Sequence, residues 1–275
     1  MNLTAANYFS PEAMRSYWSV SQFKSFNKCE ACGLAEIRGE YQREETDSLL
    51  IGSYVDAYFS GELEEFTERH QEQMFSKRGG GLLSKFDHAN DMIERVKRDP
   101  LMMAFMKGEK QKILTGELFG VPWKVKMDFY DKDGGITDLK TVKDFGDVYE
   151  EGFGRRSWIE AWGYDIQGAI YTRIEQIVSG RPEPLPFYIA AVTKERVPDI
   201  KLIQIPQHIL DAALNVVEAK IERFDLIKNG DVEPIRCERC DYCKMTKTLK
   251  YPEIYEIEEA SIMNRVLADI FKKAR

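Results

Sequence analysis

The sequence has no apolar run approaching the ~18 residues that a membrane-crossing helix requires, so nothing in it reads as a transmembrane segment. It opens without the basic stretch and apolar core of a secretory signal. These two absences lead us to expect a cytoplasmic protein. There is no internal repeat, no low-complexity tract and no helicase motif. Positive charge is not in surplus either. The 39 Lys and Arg against 46 Asp and Glu leave a net charge of −7. That argues against a surface coated in basic groups for indiscriminate nucleic-acid binding, although a local basic groove can sit on an acidic body. The candidates for such a groove are Lys77 and Arg78, the Lys107–Lys112 group, Arg155 and Arg156, and Lys194 with Arg196. Each of them is equally readable as a solvated face. Cysteine is scarce, with 5 in 275 residues.

What is present describes an ordinary globular protein, 43% hydrophobic and 31% charged, long enough for one large domain or two small ones. The stretch from Ile113 to Thr141 organises the chain. It predicts three short strands, with a first turn at Gly120-Val121-Pro122 and a second at Asp133-Gly134-Gly135. Side chains of a strand repeat every two residues, so Asp138 and Lys140 share a face. Asp128 and Glu117 lie on the preceding strands. Three carboxylates and a lysine can thus converge. Hard oxygen donors of this kind suit Mg²⁺ or Mn²⁺ together with water and a phosphate. A lysine beside them can orient or deprotonate a water or steady a phosphate oxygen. This is the equipment of metal-assisted phosphodiester hydrolysis. The plainer reading is a charged surface meander.

Around this centre the periodicity predicts helices. One follows Ser21 as N-cap, with Phe23 and Phe26 on one face, inside a helical region over 17–45. Another spans 47–59, where Gly52 and Asp56, at i and i+4, share a face. A glycine inside a helix costs up to ~1 kcal/mol, which implies that something packs close against it. Asp56 is either a further metal ligand or a solvated carboxylate. Residues 60–84 read as a mobile loop ending in Gly79-Gly80-Gly81. A helix follows over 87–107, with Met92, Met102 and Met103 as packing residues. A single helix over 155–178 carries the apolar stripe Trp158, Trp162, Ile166, Ala169, Ile170 and Ile174, with Gln167 and Tyr171 beside it. A strand over 187–193 and helices over 207–228 and 256–273 complete an α/β (α+β) domain with a mixed sheet flanked by helices.

Cys237, Cys240 and Cys243 are spaced two residues apart in a polar segment. Such spacing in a cytoplasmic chain points to metal rather than disulfides. Cys29 or Cys32 can supply a fourth thiolate, and four thiolates suit Zn²⁺ or an iron–sulfur cluster. Closing such a site would staple the C-terminal segment to the N-terminal helices.

Taken in order, these motifs resemble the RecB-type branch of the PD-(D/E)xK nuclease superfamily over roughly residues 17–245. Gly52-x-x-x-Asp56 is similar to that branch's Gly-x-x-x-His/Asp helix, with aspartate where many members have histidine. Asp128 resembles the first metal aspartate, Asp138-Leu139-Lys140 the (D/E)-x-K, and Gln167-x-x-x-Tyr171 the Gln-x-x-x-Tyr helix. Glu117 matches an upstream glutamate of some members. The split arrangement of Cys29 with Cys237, Cys240 and Cys243 resembles that of iron–sulfur RecB-type nucleases. The opening Trp18-Ser-Val-Ser-Gln-Phe-Lys24 looks most like phage or prophage RecE-like exodeoxyribonucleases.

The resemblance implies a single nuclease domain over 1–275. Its core runs over about 45–205, and the N-terminal helices 17–45 pack with the cysteine segment 230–250. It implies that Asp128, Asp138 and the Leu139 carbonyl hold Mg²⁺ or Mn²⁺ with help from Glu117 and Asp56. Lys140 then orients the nucleophile, and Gln167 and Tyr171 contact the DNA backbone or position Lys140. It further implies degradation of one strand of linear duplex DNA, usually 5′ to 3′, in a bacterial host cytoplasm. The enzyme would be an oligomer and would leave single-stranded tails for an annealing partner. A [4Fe–4S] cluster, with Zn²⁺ as second choice, is implied at the cysteines. The alternatives are an iron–sulfur nuclease of CRISPR adaptation or repair, and a non-catalytic DNA-binding scaffold with a structural metal cluster.

Overall fold

The structure, a computed structural model, describes residues 2–76, 79–150, 154–252 and Met263. The expected helix over 256–273 and the basic pair Lys77 and Arg78 therefore lie outside the described residues, Met263 excepted. The chain divides into two compact units, Met1–Cys237 and Glu238–Arg275.

The first unit is built on a five-stranded sheet in the order β1-β2-β3-β6-β7. Its strands are β1 (Glu109–Leu118), β2 (Val121–Asp131), β3 (Gly135–Val142), β6 (Phe187–Thr193) and β7 (Ile200–Ile205). A separate hairpin pairs β4 (Val148–Glu150) with β5 (Gly154–Arg156). Within the five-stranded sheet only β3 and β6 run parallel. Parallel neighbours need a crossover, and the chain between them contains α9 (Trp158–Ala161) and α10 (Tyr164–Ser179). The remaining helices of this unit are α1 (Pro11–Ser16), α2 (Val20–Lys28), α3 (Glu30–Arg38), α4 (Asp47–Ser60), α5 (Leu63–Arg69), α6 (Gln71–Met74), α7 (Ser84–Lys97), α8 (Pro100–Phe105) and α11 (Gln207–Asn229). This is the expected mixed α/β architecture.

Two apolar clusters sandwich the sheet. One joins Phe23 and Phe26 of α2, Ile170 and Ile174 of α10, and Val217 and Phe224 of α11 to Trp123, Val125 and Met127 of β2. The other joins Val55 and Phe59 of α4, Phe86, Met92 and Val96 of α7 and Met102 of α8 to Phe129, Leu139, Ala190 and Val192 of the strands. Met92 and Met102 pack in the core, as their spacing predicts. Fully burying side chains of this size contributes roughly 1.5–3 kcal/mol each, which is what holds the helices to the two faces.

Local structure departs from expectation at five places, one of them the helix expected over 87–107, which is split into α7 and α8 with Asp99 capping the second. The first hairpin turns at Phe119-Gly120, both with positive φ (53° and 75°), a pair whose twist suits a two-residue hairpin. Pro122 lies inside β2 opposite Glu117, and its carbonyl accepts from the Trp18 N–H. β2 pairs with β3 only from Phe129 onward, so the missing proline N–H deprives no strand ladder of a donor. The cap of α2 is Ser19, not Ser21, because Ser19 forms a reciprocal capping box with Gln22. The expected loop over 60–84 instead holds α5 and α6, anchored by buried Phe66 and Met74. The expected helix over 155–178 breaks at Gly163 (φ 60°, ψ 41°), and Trp162 leaves the apolar stripe at 49% exposure.

The second unit begins with α12 (Asp241–Met245). Cys240 caps it, its Sγ accepting from the Cys243 N–H at 3.5 Å.

Candidate active site

β2 and β3 pair only through Phe129–Asp131 and Gly135–Thr137. One position further on, Asp128 and Asp138 stand opposite each other where the strands part. The fork leaves the Leu139 N–H without a strand partner on that side, and it donates to Asp128 Oδ2 at 2.9 Å. β3 remains paired with β6 through Val142, which keeps Asp138, Leu139 and Lys140 in extended geometry. The two-residue repeat then acts as expected. Leu139 enters the cluster beneath α4 and α7, while Asp138 and Lys140 turn to the other face.

Asp138 is 1% exposed, and its Oδ2 has an ion-pair partner but no hydrogen-bond donor among the described residues. Its Oδ2 lies 2.5 Å from Lys140 Nζ, and its Oδ1 accepts from Gln167 Nε2 at 2.7 Å. Burial on its own would lower the Lys140 pKa, but Asp138 and then Asp128 raise it above the usual lysine value. Lys140 is therefore an ammonium at neutral pH, suited to orienting a water or a phosphate oxygen rather than to taking a proton.

Asp56 approaches from α4. It lines a cleft of about 260 Å³ together with Gly52, Asp128, Leu139, Lys140 and Thr141. Burial raises the Asp128 carboxyl well above its ordinary range, and repulsion from Asp138 and Asp56 adds to the shift. Asp56 is raised mainly by burial, opposed by Lys140 and Lys126. Repulsion from Asp138 thus falls on both Asp128 and Asp56, and a divalent cation relieves such crowding. The donor set, all oxygen, fits Mg²⁺ or Mn²⁺.

Behind Asp138 the helix α10 presents Gln167 and Tyr171, one turn apart and both 8% exposed. Tyr171 packs edge-on against Phe187, and its hydroxyl is raised well above the ordinary value by burial and then by Asp138. Both residues lie in the second layer, and Gln167 holds Asp138 rather than Lys140. Glu117 is not brought to the site. The Lys110–Phe129 and Lys112–Met127 pairs place Gln111 opposite Asp128. Glu117 is exposed, six positions further along β1, roughly 20 Å at the rise of a strand.

Two residues that the sequence did not single out do join the site. Tyr164 places its ring 5.2 Å from Lys140 Nζ. Lys24 of α2 reaches from the other side, 5.1 Å from the same ring and 3.5 Å from Gln167 Oε1. Burial, and then Lys140, lower its pKa to about 7. Its sequence signal was its place at the end of the opening Trp18–Lys24 motif.

The cysteines divide between the two units. In the first, Cys29 lies between α2 and α3, and its Sγ is within 4.8 Å of that of Cys237. The segment leading to Cys237 is tied to the start of α3. Ala31 N–H donates to the Ile235 carbonyl, Ile235 N–H to Glu30 Oε2, and Arg223 forms an ion pair with Glu30 at 2.8 Å. Cys32 points instead to Glu36, 3.9 Å from its Oε1. In the second unit the Cys240 and Cys243 sulfurs are likewise within 4.8 Å of each other. Paired thiols at such separations suit a thiophilic metal.

No curated protein matches the chain. Among solved structures it is similar to a protein from Eubacterium rectale described as a candidate exonuclease. Identity is 41% and the TM-score 0.87, over 92% of this chain and 97% of that one. Residues 19–246 match the family model described as a PDDEXK-like domain of unknown function (DUF3799). With the carboxylate fork, the Asp138-Leu139-Lys140 strand and this match over most of its length, the chain belongs to that PDDEXK-like family.

Proposed function

We propose that this protein is a metal-dependent exodeoxyribonuclease that degrades one strand of linear duplex DNA, 5′ to 3′, leaving single-stranded tails for recombination by strand annealing. The observation that carries the reading is the fork at which Asp128 and Asp138 face each other, with Lys140 on Asp138 and Asp56 across the cleft. The relative described as a candidate exonuclease supports action from an end. The resemblance to phage RecE-like enzymes supports the polarity, a ring-shaped homo-oligomer, a phage origin and an annealing-protein partner.

In this reading Asp128, Asp138, the Leu139 carbonyl and Asp56 hold Mg²⁺ or Mn²⁺. When bound, the cation lowers the pKa of a water and offsets charge on the scissile phosphate. Lys140 directs its ammonium at the attacking water or a phosphate oxygen, and its pairing with Asp138 fixes where that charge sits. Gln167 donates to the Asp138 carboxylate and so helps to orient it. Tyr171 backs Gln167 from the core. The buried setting strengthens each of these interactions over its value in water.

Cys29, Cys237, Cys240 and Cys243 are proposed to hold a structural [4Fe–4S] cluster, with Zn²⁺ as the second choice. The support is the spacing of two residues between successive cysteines 237, 240 and 243, and the paired sulfurs within each unit. Binding energy at such a site is folding energy. The cysteines also favour a second reading with the same chemistry, an iron–sulfur nuclease of CRISPR adaptation or repair.

Incubation of the purified protein with linear and with closed circular duplex DNA tests the main reading. Linear DNA should be lost with Mg²⁺ or Mn²⁺ and persist with EDTA, while circular DNA persists throughout. Persistence of the linear substrate under every divalent cation would exclude nuclease action and leave the scaffold reading. Equal loss of the circle would exclude an exonuclease.

A further inference from the structure

The break at Gly163 turns Trp162 out of the core and into the wall of two clefts. One, of about 660 Å³, is lined by Lys24, Lys28, Tyr41, Trp162 and Tyr164 among others. The other, of about 470 Å³, is lined by Tyr149, Trp162 and Tyr164 and shares Leu49 and Thr141 with the carboxylate cleft. The two cavities share Trp162 and Tyr164 as walls, and the smaller of them borders the candidate active site at Leu49 and Thr141. Gly163 is required for the Trp162-Gly163-Tyr164 elbow, because its φ of +60° is a conformation that side chains disfavour, and a Cβ would stand 3.3 Å from Lys24 Cε.

Lysine side chains flank the rings. Lys28 Nζ lies 5.4 Å from the Trp162 ring centroid, and Lys24 Nζ 5.1 Å from that of Tyr164. Trp162 is 49% exposed and Tyr149 73%, whereas Trp18, Trp123 and Trp158 are at most 6% exposed. The half-exposed Trp162 thus shares a cleft wall with Tyr164 and with the side chains of Lys24 and Lys28. Flat aromatic faces alternating with ammonium groups are complementary to one class of polymer. Its units carry a π-face and a phosphate, and its bases are unpaired, because bases in a duplex are already stacked.

We infer that the Trp162-Gly163-Tyr164 elbow is a stacking platform for unpaired bases of single-stranded DNA, with Lys24 and Lys28 contacting its phosphates, next to the carboxylate cleft. The inference rests on the reading of the chain as a nuclease and adds to it the form of the substrate. The strand being cut is held unpaired beside the cleft, so the duplex end is opened before hydrolysis.

Binding without metal separates the platform from the chemistry. Fluorescein-labelled oligo(dT) in EDTA, followed by anisotropy and by tryptophan emission, should bind the wild-type protein and quench part of its emission. Trp162→Phe should bind within about threefold of wild type, because a phenyl ring still stacks, but should lose the quenching, because the remaining tryptophans are buried. Trp162→Ala should bind roughly tenfold more weakly, with a matching rise in KM for linear duplex. Thermal melts of both variants should match wild type, since the ring is half exposed. Wild-type protein that ignores oligo(dT), an alanine variant that binds as wild type, or undiminished quenching in Trp162→Phe would each overturn the platform. Failure of the nuclease reading shows elsewhere, as linear duplex that survives Mg²⁺, and leaves the metal-free binding result to be read independently.

Discussion

Gly52 of α4 and Thr141 of β3 meet so closely that a Cβ on residue 52 would stand 2.7 Å from Thr141 Oγ1. This contact explains a glycine inside a helix, because it lets α4 settle onto the strand that carries Asp138 and Lys140. Asp56 follows one turn later on the same face. A threonine has little freedom at χ1, so the added methyl of Gly52→Ala must push the helix away. That variant should keep its fold, lose DNA degradation by about tenfold or more, and require more Mg²⁺ for half-maximal rate. Gly52→Ala with Thr141→Ala should recover much of the loss. A magnesium titration of the single and double variants checks this, and unchanged activity in Gly52→Ala would show that the approach of α4 does not set the Asp56 position.

Asp138→Asn and Lys140→Ala should each reduce Mg²⁺-dependent degradation of linear duplex by at least about 100-fold, the scale of losing a placed charge in a buried site. Glu117→Ala is the control and should stay within about twofold of wild type, because the hairpin carries Glu117 to the opposite end of β1. Loss of activity in Glu117→Ala alone would require a different ligand set.

Gln167→Ala removes the donor that fixes Asp138 Oδ1. It should lower kcat by about tenfold while KM for DNA changes little, because the residue is buried and does not reach substrate. Tyr171→Phe should be milder, since only the hydroxyl behind Gln167 is lost. A kcat and KM comparison with parallel melts decides it. A rise in KM alone would mean that Gln167 contacts DNA instead.

Protein purified without oxygen should be brown and contain iron, and Cys29→Ser or Cys237→Ser should bleach it and destabilise the fold. Cys32→Ser should leave the metal in place, because the Cys32 thiol faces Glu36. Elemental analysis checks all three. Zinc in place of iron would keep the ligand set and remove the cluster, and absence of both from soluble, active protein would remove the site.

Lys228 donates to the Tyr17 carbonyl at 2.8 Å and lies 4.5 Å from the Trp18 ring centroid. Burial, opposed by Asp225 and aided by Lys124, lowers its pKa to about 7 from 10.5. Between these values the unfolded chain binds more protons than the folded one, so this residue makes stability rise with pH. Its unfavourable contribution is fully present below about 7 and vanishes above 10.5. Lys228→Met should therefore raise Tm relative to wild type more at a pH near 6.5 than near 9.5. Loss of the Lys228 bond to the Tyr17 carbonyl adds an offset that does not vary with pH. A Tm difference that is flat across this range would refute the shift.

Periodicity within single elements was legible from residue order alone. Asp138 and Lys140 share a strand face, Gly52 and Asp56 a helix face, and Gln167 and Tyr171 another, because these relations depend only on the backbone repeat. The cysteine spacing, the hairpin and the mixed α/β class were legible for the same reason.

Which faces meet was decided by packing. Asp56 reaches Asp128 because α4 and α7 bury Val55, Phe59, Phe86 and Met92 against the sheet. Lys24 reaches Tyr164 because α2 packs on the α10 side of that sheet. Glu117 misses the site because β1 and β2 run on in register well beyond the three strand pairs that β2 shares with β3, so a residue adjacent in the motif order lies far away in space. The apolar stripe of 155–178 continues across Gly163 on paper, since hydrophobic spacing does not record a single left-handed residue. Only the left-handed backbone at Gly163, and the burial of Trp158 before it and Ile170 after it, determine that Trp162 faces out.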